Sequence, residues 1–219
     1  AAVARPDSKV MVPDKKPRVY RNFIDRKVDG GKLLDISFKN EEKFNFAFDV
    51  IDAIADKKPE KLAMVHISRD KTERRFTFKD MKRKSAQAAN YFKSLGIKKG
   101  DKVMLVLQRR YQFWIAIIAL HKIGAVVIPA THLLVKHDLE YRFQAAGVKA
   151  ILCTADGDTA HQIDLASKTC PTLEHKIIVN GEREGWRNFD EEYTMFSSHY
   201  ARAEDAPCGS DPMLMFFTS

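Results

Sequence analysis

The chain has 219 residues, 45% of them apolar, and a formal net charge of +8. This length suits one large domain or one and a half, and the apolar share is ordinary for a globular protein. A positive charge suits a polyanion, a solvated lysine-rich surface or an enzyme of anionic nucleotides. The basic residues are scattered, except at Arg69–Arg75 and Lys79–Lys84, and no aromatic residues alternate with them as a stacking platform requires. We therefore expect no nucleic-acid partner.

The three cysteines, Cys153, Cys170 and Cys208, are odd in number and widely spaced. Without a CxxC pair they indicate neither a disulfide framework nor a zinc site, and they favour the reducing cytoplasm. The N-terminus carries charges where a signal peptide has an apolar core. The most apolar window, Phe113–Ile128, is interrupted by charge and shorter than the roughly 20 residues of a membrane span, so we expect no membrane span.

Residues 1–43 are predicted to be an N-terminal arm, and residues 44–219 an α/β subdomain. The arm begins with prolines among charges, which is typical of extended chain that is poorly ordered unless docked. It continues through turn residues at Asp29–Gly31 with little hydrophobic period. Apolar residues at helical spacing then run from Phe44 to Ile54, with Pro59 just past their end.

The next segment is predicted to be a hairpin followed by a long helix. The strands Leu62–Ile67 and Arg74–Phe78 flank a turn-rich stretch. Thr77 and Asp80 have the spacing of a capping box. Behind them apolar residues recur every three or four positions as far as Gly96, which predicts one buried helix face closed by a glycine.

From residue 101 onward, short apolar runs alternate with helical patterns about every 25 residues. This alternation predicts an α/β fold with a mainly parallel sheet flanked by helices. The last run follows Pro207, Gly209 and Pro212 and has no polar face, which is typical of a fully buried strand. The predicted strands are Val103–Leu107, Ala125–Ile128, Ala150–Cys153, Lys176–Val179 and Met213–Phe217.

Ligands of open parallel sheets bind beyond the carboxyl ends of the strands. Four stretches follow such ends, namely residues 108–110, 129–132, 154–156 and 218–219. Arg109 and Arg110 begin a helix, where guanidinium groups and free N–H groups both favour a phosphate; ordinary solvated arginines are the alternative, and more so for Arg110. His132 and His137 lie close in sequence with Asp138 nearby, but a third ligand with the spacing of a metal site is missing, so we predict no metal site. Trp114 is predicted to belong to the core rather than to a cofactor platform.

Three segments carry a resemblance to a known family. Phe-Phe-Thr-Ser at the C-terminal end resembles the opening of the adenylate-forming enzyme signature, a buried strand that runs into Thr-Ser-Gly-Thr-Thr-Gly-x-Pro-Lys around the phosphates of ATP. Arg75–Met81 is similar to the family's aromatic-Thr-aromatic strand end, and Leu120–Pro129 to its helix, glycine turn and strand ending at proline. Phe113–Thr131 is closest to acyl-CoA synthetases of the medium-chain type, near the acetyl-CoA synthetases.

The resemblance implies the N-terminal part of an acid–thiol ligase that uses ATP, Mg²⁺ and CoA on a small carboxylic acid. Thr218 and Ser219 would bind the ATP phosphates, and Thr131, His132 and Arg109 would contact CoA. The arginines that related acetate-activating enzymes direct at the CoA 3′-phosphate are missing from residues 158–165. No catalytic residue is assigned, and the chain itself, without the glycines and lysine of the loop, is expected not to turn over ATP.

Two other functions remain open at this point. One is another adenylate-forming ligase that activates amino acids or aryl acids. The other is a non-catalytic α/β module that binds an anion or a protein through its basic surface. An open reading frame that continues into Gly-Thr-Thr-Gly would distinguish the enzymes from the binding module.

Overall fold

The structure, a computed structural model, describes residues 19–218, and the chain divides into two compact units between Glu41 and Glu42. Residues 1–18, where the arm was predicted to be extended, and Ser219 lie outside the described residues. The predicted division of the chain into an arm, residues 1–43, and a subdomain, residues 44–219, stays a prediction.

The first unit contains a hairpin that the sequence pattern did not indicate. A 3₁₀ turn, Val19–Asn22, is followed by the antiparallel strands β1, Ile24–Asp29, and β2, Lys32–Phe38. Gly30 and Gly31 join them with φ of +51° and +79°, the left-handed conformation that tight hairpin turns require. Both strands are exposed along nearly their whole length, so no buried face imposes a hydrophobic period on their sequence.

The second unit is an α/β layer structure. In chain order its elements are a π-helical turn, Ala47–Asp52, continuing into α1, Ala53–Lys57; β3, Leu62–Ile67; β4, Glu73–Thr77; α2, Phe78–Ser94; β5, Lys102–Val106; α3, Gln112–Ile123; β6, Val126–Pro129; α4, Lys136–Ala146; β7, Val148–Thr154; α5, Thr159–Ser167; β8, His175–Val179; β9, Arg187–Asn188; and α6, Phe189–Glu192, followed by a 3₁₀ turn, Tyr193–Met195.

The capping box of α2 is confirmed. The Asp80 N–H donates to Thr77 Oγ1 at 3.2 Å, and the Thr77 N–H donates to Asp80 Oδ2 at 3.0 Å. Burial acts to raise the pKa of Asp80, yet the hydrogen bonds from Thr77 hold it below its ordinary value. The capping box therefore determines where α2 begins, directly after β4. β4 pairs with β3, as the predicted hairpin requires.

The sheet has five parallel strands in the order β6-β5-β7-β8-β9, which confirms the predicted fold class. Its centre is buried on both faces, as a solid apolar run predicts. Val103 and Leu105 of β5 pack into the cluster that contains α2 and α3, whereas Met104 and Val106 pack against residues of α4 and α5.

The prediction that Met213–Phe217 forms a fully buried strand is wrong. This segment makes one parallel bridge, in which the Val127 N–H donates to Met213 O and the Met215 N–H donates to Val127 O, both at 2.9 Å. Alternate side chains pack inward, so Phe217 lies beside α4 while Phe216 is 65% exposed. Within residues 19–218 the fifth strand is β9, which is too short and polar to produce an apolar pattern.

The prediction that Trp114 belongs to the core is also wrong, because its side chain is 52% exposed. Its helix, α3, is apolar on nearly every side, so the sequence did not distinguish the buried face from the outer one. The buried face carries Ile115, Ala116, Ile118 and Ala119, and Trp114 packs edge-on against Phe113 at 5.4 Å between ring centroids.

Candidate functional site

A cavity of about 780 Å³ lies at the carboxyl ends of β5 and β6. The loops after these strands supply Arg109, Thr131 and His132, and the β3–β4 hairpin supplies a further wall. The structure thus brings together the three residues for which CoA contacts were expected. This follows from the parallel pairing of the two strands, which places their carboxyl ends at one edge of the sheet.

The cavity has an apolar floor and a basic rim. Leu105, Leu107 and Phe113 are among the apolar lining residues. The lining contains three arginines, Arg69, Arg109 and Arg110, and no carboxylate. An apolar cavity with a few convergent polar groups is typical of small-molecule sites, and this balance of charge favours an anionic ligand.

The loop that carries Arg109 is attached to the β3–β4 hairpin. Gln108 has φ of +50°, which side-chain-bearing residues rarely adopt and which clusters at functional sites. His66 Nε2 lies 3.1 Å from Arg109 O, so this nitrogen donates and carries the ring proton. His66 Nδ1 is buried and has no hydrogen-bond partner among residues 19–218.

The two neighbouring arginines have different roles. Arg110 forms an ion pair with Asp156 in the loop after β7, so it is not the solvated arginine of the alternative interpretation. The Arg109 side chain is exposed and makes no ion pair or hydrogen bond within the described part of the chain. Of the pair, Arg109 is the one whose charge is available to a ligand.

Thr131 and His132 form a turn at the end of β6. Thr131 Oγ1 accepts a hydrogen bond from the Leu133 N–H at 3.3 Å. Thr159 Oγ1, at the start of α5, donates to His132 O at 3.4 Å. Both side chains are exposed at the cavity, so their turn is tied to the fold while the hydroxyl and the imidazole remain open to a ligand.

Thr218 does not belong to this cavity. It is exposed and follows Phe217, which packs against Tyr141 and lies under the guanidinium of Arg142 in α4. Ser219 lies outside the described residues, so the expected phosphate contacts of both residues stay predictions. Among the described residues, no group of three metal-binding side chains occurs.

Two cavity residues, His66 and Arg69, were not singled out in the sequence. Both lie on the β3–β4 hairpin, which is paired within itself and not to the parallel sheet. A sequence pattern predicts the hairpin but not the surface over which it folds. The basic run that begins at Arg69 was the only signal available.

Comparison with known proteins identifies the family. The family described as AMP-binding enzyme matches residues 51–219. The chain belongs to the AMP-binding enzyme family. It is 36% identical over 185 residues to acyl-coenzyme A synthetase ACSM5, mitochondrial, of Rattus norvegicus, and 32% identical over 185 residues to acyl-coenzyme A synthetase ACSM3, mitochondrial, of Homo sapiens. Both matches cover 81% of this chain and 31% of the relative, so the chain spans about a third of their length.

Solved structures described as acyl-CoA synthetases agree with the fold. An acyl-CoA synthetase of Brucella canis superposes with a TM-score of 0.68 at 26% identity, covering 80% of this chain and 31% of that chain. A fatty acyl CoA synthetase of Mycobacterium tuberculosis gives a TM-score of 0.67 at 20% identity, covering 80% and 32%, and supports the fold alone. The resemblance to acyl-CoA synthetases of the medium-chain type is confirmed.

Proposed function

We propose that this chain is part of an ATP-dependent acyl-CoA synthetase. In the complete protein a carboxylate attacks the α-phosphate of ATP, which gives an acyl-adenylate and pyrophosphate. The thiol of CoA then attacks the acyl carbonyl and displaces AMP. The observation that carries this proposal is the basic cavity at the carboxyl ends of β5 and β6, in a chain 36% identical to an acyl-coenzyme A synthetase.

The cavity is proposed to receive the nucleotide end of CoA. Thr131 and His132 offer a hydroxyl and an imidazole at its mouth, and Arg109 offers a guanidinium without an internal partner in residues 19–218. The apolar floor suits the planar base or the pantetheine chain, and the basic rim suits the phosphates. These residues bind and orient CoA; none of them is proposed to take part in bond making.

Thr218 and Ser219 are proposed to begin the loop that holds the ATP phosphates. Exposed hydroxyls and backbone N–H groups past a strand-like segment suit anions. Mg²⁺ offsets charge on the leaving pyrophosphate in such reactions. The described residues offer no group of three metal-binding side chains, so we assign the ion no ligand in this chain.

The compartment is proposed only as a reducing one. The relatives are described as mitochondrial, so the comparisons do not support the predicted cytoplasm. Cys153 and Cys170 are buried free thiols, and burial raises the pKa of Cys153 to about 12, which keeps it protonated and unreactive. No helix among residues 19–218 is long and apolar enough to cross a bilayer. The assay described next also determines whether the protein accepts acetate and which acyl chain length it prefers.

The test is an assay of acyl-CoA and AMP with the complete protein encoded by the reading frame of this chain. Short, medium and aromatic acids form the panel. We expect at least one acid to give both products in equal amounts, only with ATP and CoA present. His132→Ala should raise the KM for CoA more than the KM for ATP. His137→Ala, which removes an exposed histidine outside the cavity, should act as the matched control. No acyl-CoA from any acid would exclude the proposal.

A further inference from the structure

We propose that the β1–β2 hairpin is a docking element for an anionic lipid bilayer, with its apolar face on the bilayer and its charged face in water. The hairpin precedes residues 51–219, which match the AMP-binding enzyme family. The inference goes beyond the proposed function and does not rest on it, because it concerns a part of the chain to which that match assigns nothing.

The pairing of β1 with β2 collects apolar side chains on one face of the hairpin. Residues directly opposite each other on an antiparallel pair share a face, and so do alternate residues along one strand. By this register one face is apolar except for a single arginine. Its members are Ile24 opposite Phe38, Arg26 opposite Ile36, and Val28 opposite Leu33.

This apolar face is exposed in the part of the chain that the structure describes. Val28, Leu33, Ile36 and Phe38 are 49%, 48%, 42% and 69% exposed. A two-stranded hairpin is only marginally stable in water, and it gains stability when its apolar face packs against another surface. Single exposed apolar residues are ordinary, whereas four of them on one face indicate an interaction surface.

The opposite face of the hairpin is charged. Asp25 forms an ion pair with Lys39 at 2.8 Å, which places both side chains on this face. The hairpin is therefore amphipathic, as are the elements that lie in the plane of a membrane surface. The other residues of the charged face follow from the register: Ser37 opposite Asp25, Lys27 opposite Asp35, and Asp29 opposite Lys32.

The sequence before the hairpin supplies positive charge. Residues 1–22 contain six lysines and arginines and two aspartates, which gives a net charge of +4. Basic residues near an anionic membrane surface add to the attraction that comes from buried apolar area. Arg26 on the apolar face is compatible with this, since a long arginine side chain reaches the lipid phosphates while its stem stays among apolar groups.

The size of the apolar face favours a bilayer over a second copy of the chain. β2 has seven residues, so the face is about 24 Å long and about 10 Å wide. That footprint, on the order of 250 Å², is below the roughly 800 Å² per partner of a stable protein interface. Among the described residues, both outer edges of this sheet are unpaired. Unpaired backbone groups do not occur in the hydrocarbon core, so the hairpin lies flat at the level of the headgroups.

The experiment is co-sedimentation of the complete protein with vesicles of phosphatidylcholine and phosphatidylglycerol in equal parts, and with vesicles of phosphatidylcholine alone. We expect the mixed vesicles to bind at least about tenfold more tightly, as two or three basic residues near an anionic surface produce. Ile36→Ser should lower binding to the mixed vesicles about tenfold. Ile67→Ser is the matched control, because Ile67 is 64% exposed in the β3–β4 hairpin, and it should bind as the wild type does.

A second pair of variants tests the contribution of charge. Lys15→Gln combined with Lys16→Gln removes two positive charges from the basic segment and should weaken binding to the mixed vesicles. Lys57→Gln combined with Lys58→Gln removes two exposed lysines from the second unit and should leave binding unchanged. Equal losses in the two double variants would show that only the net charge of the protein matters, and would overturn the assignment to the hairpin and its basic segment.

A fluorescence measurement keeps the test independent of the stability of the hairpin. Phe38→Trp places an indole on the apolar face, whereas Ser37→Trp places one on the charged face. Mixed vesicles should shift the emission of the Phe38→Trp protein to shorter wavelength. The Ser37→Trp protein should show no such shift over the common background of Trp114 and Trp186.

Several results would overturn the proposal. They are no binding to the mixed vesicles, equal binding to both kinds of vesicle, wild-type binding by Ile36→Ser, and equal emission shifts in the two tryptophan variants. A dimer that Ile36→Ser dissociates, without vesicle binding, would also overturn it and assign the face to a second copy of the chain. None of these measurements depends on acyl-CoA formation, so failure of the proposed function and failure of membrane docking are distinguishable.

Discussion

Lys122 is a fully buried lysine whose partner lies 70 residues away in sequence. Its Nζ atom donates to both Asp52 oxygens at 2.9 Å, and the two side chains are 0% and 10% exposed. Burial raises the pKa of Asp52 and lowers that of Lys122, while their mutual attraction opposes both shifts. The pair joins the helical turn before α1 to α3, a contact that no sequence pattern indicates.

Breaking this pair should be costly, whereas replacing both partners should not. We expect Lys122→Met to reduce the free energy of unfolding by about 3–5 kcal/mol, because it leaves a buried carboxylate without its cation. The double variant Lys122→Met with Asp52→Leu should lose much less than the sum of the two single variants. Urea denaturation of all four proteins measures this coupling. Additive losses would show that the pair is not an isolated electrostatic unit.

His121 should make stability depend on pH. The Phe46 N–H donates to His121 Nε2 at 3.2 Å, and burial lowers the His121 pKa from 6.5 to about 4. A lowered pKa means that the unfolded chain binds the proton first, so this contribution is complete above pH 6.5 and is lost as the pH falls towards 4. The expected loss is about 3 kcal/mol.

The measurement for His121 is the free energy of unfolding at several pH values between 7 and 4.5. His121→Gln keeps an acceptor for the Phe46 N–H but cannot titrate, so it should show a flatter profile. A wild-type profile parallel to that of the Gln variant would contradict the assignment to His121.

At the scale of the element, Gly124 determines how α3 ends. Its φ of +79° is left-handed, and a Cβ placed there would lie 2.8 Å from Lys99 Cγ and 3.3 Å from Pro207 Cβ. Gly147 closes α4 with φ of +61°, but a Cβ there would meet no atom within 4 Å. We therefore expect Gly147→Ala to cost about 1 kcal/mol, and Gly124→Ala to cost clearly more.

The comparison of these two glycines separates backbone strain from steric contact. Thermal or urea unfolding of both Ala variants measures the difference. Equal losses would mean that the Lys99 side chain moves aside freely and that only the φ angle matters.

The elements with strong local patterns were predicted from the sequence. The capping box of Thr77 and Asp80, the glycine after α3 and the four apolar strands of the sheet are set by neighbours within a few residues. The hairpin of β1 and β2 was missed because no buried face imposes a hydrophobic period on its strands. Met213–Phe217 was assigned to the interior because an apolar run shows no difference between a strand buried on two faces and one packed on a single side.

At the scale of the whole molecule, the sequence predicted part of the candidate site. Arg109, Thr131 and His132 were expected at one edge because parallel strands end on the same side. His66 and Arg69 were not, because the position of the β3–β4 hairpin over that edge depends on tertiary contacts such as that between His66 and Arg109. The exposure of the Trp114 side chain was likewise not predicted, because its helix, α3, is apolar on nearly every side.

The basic surface should bind polyanions only weakly. Many cations in the described residues are already paired with carboxylates, for example Lys176 and Arg183 with Asp164 at 2.5 and 2.7 Å. We expect binding of the chain to DNA or RNA to be weak and to fall steeply with salt. Sequence-selective, submicromolar binding in about 0.15 M salt, measured by fluorescence anisotropy, would contradict this expectation.

The central claim is that the complete protein activates a carboxylic acid as its adenylate before CoA reacts. The most direct measurement is acid-dependent incorporation of labelled pyrophosphate into ATP without CoA, with the 219-residue chain as the background. We predict exchange for at least one acid with the complete protein and none with the chain alone. Thr218→Ala or Ser219→Ala should lower the exchange rate more than the melting temperature. Exchange by the chain alone, or no exchange with any acid in the complete protein, would contradict the account.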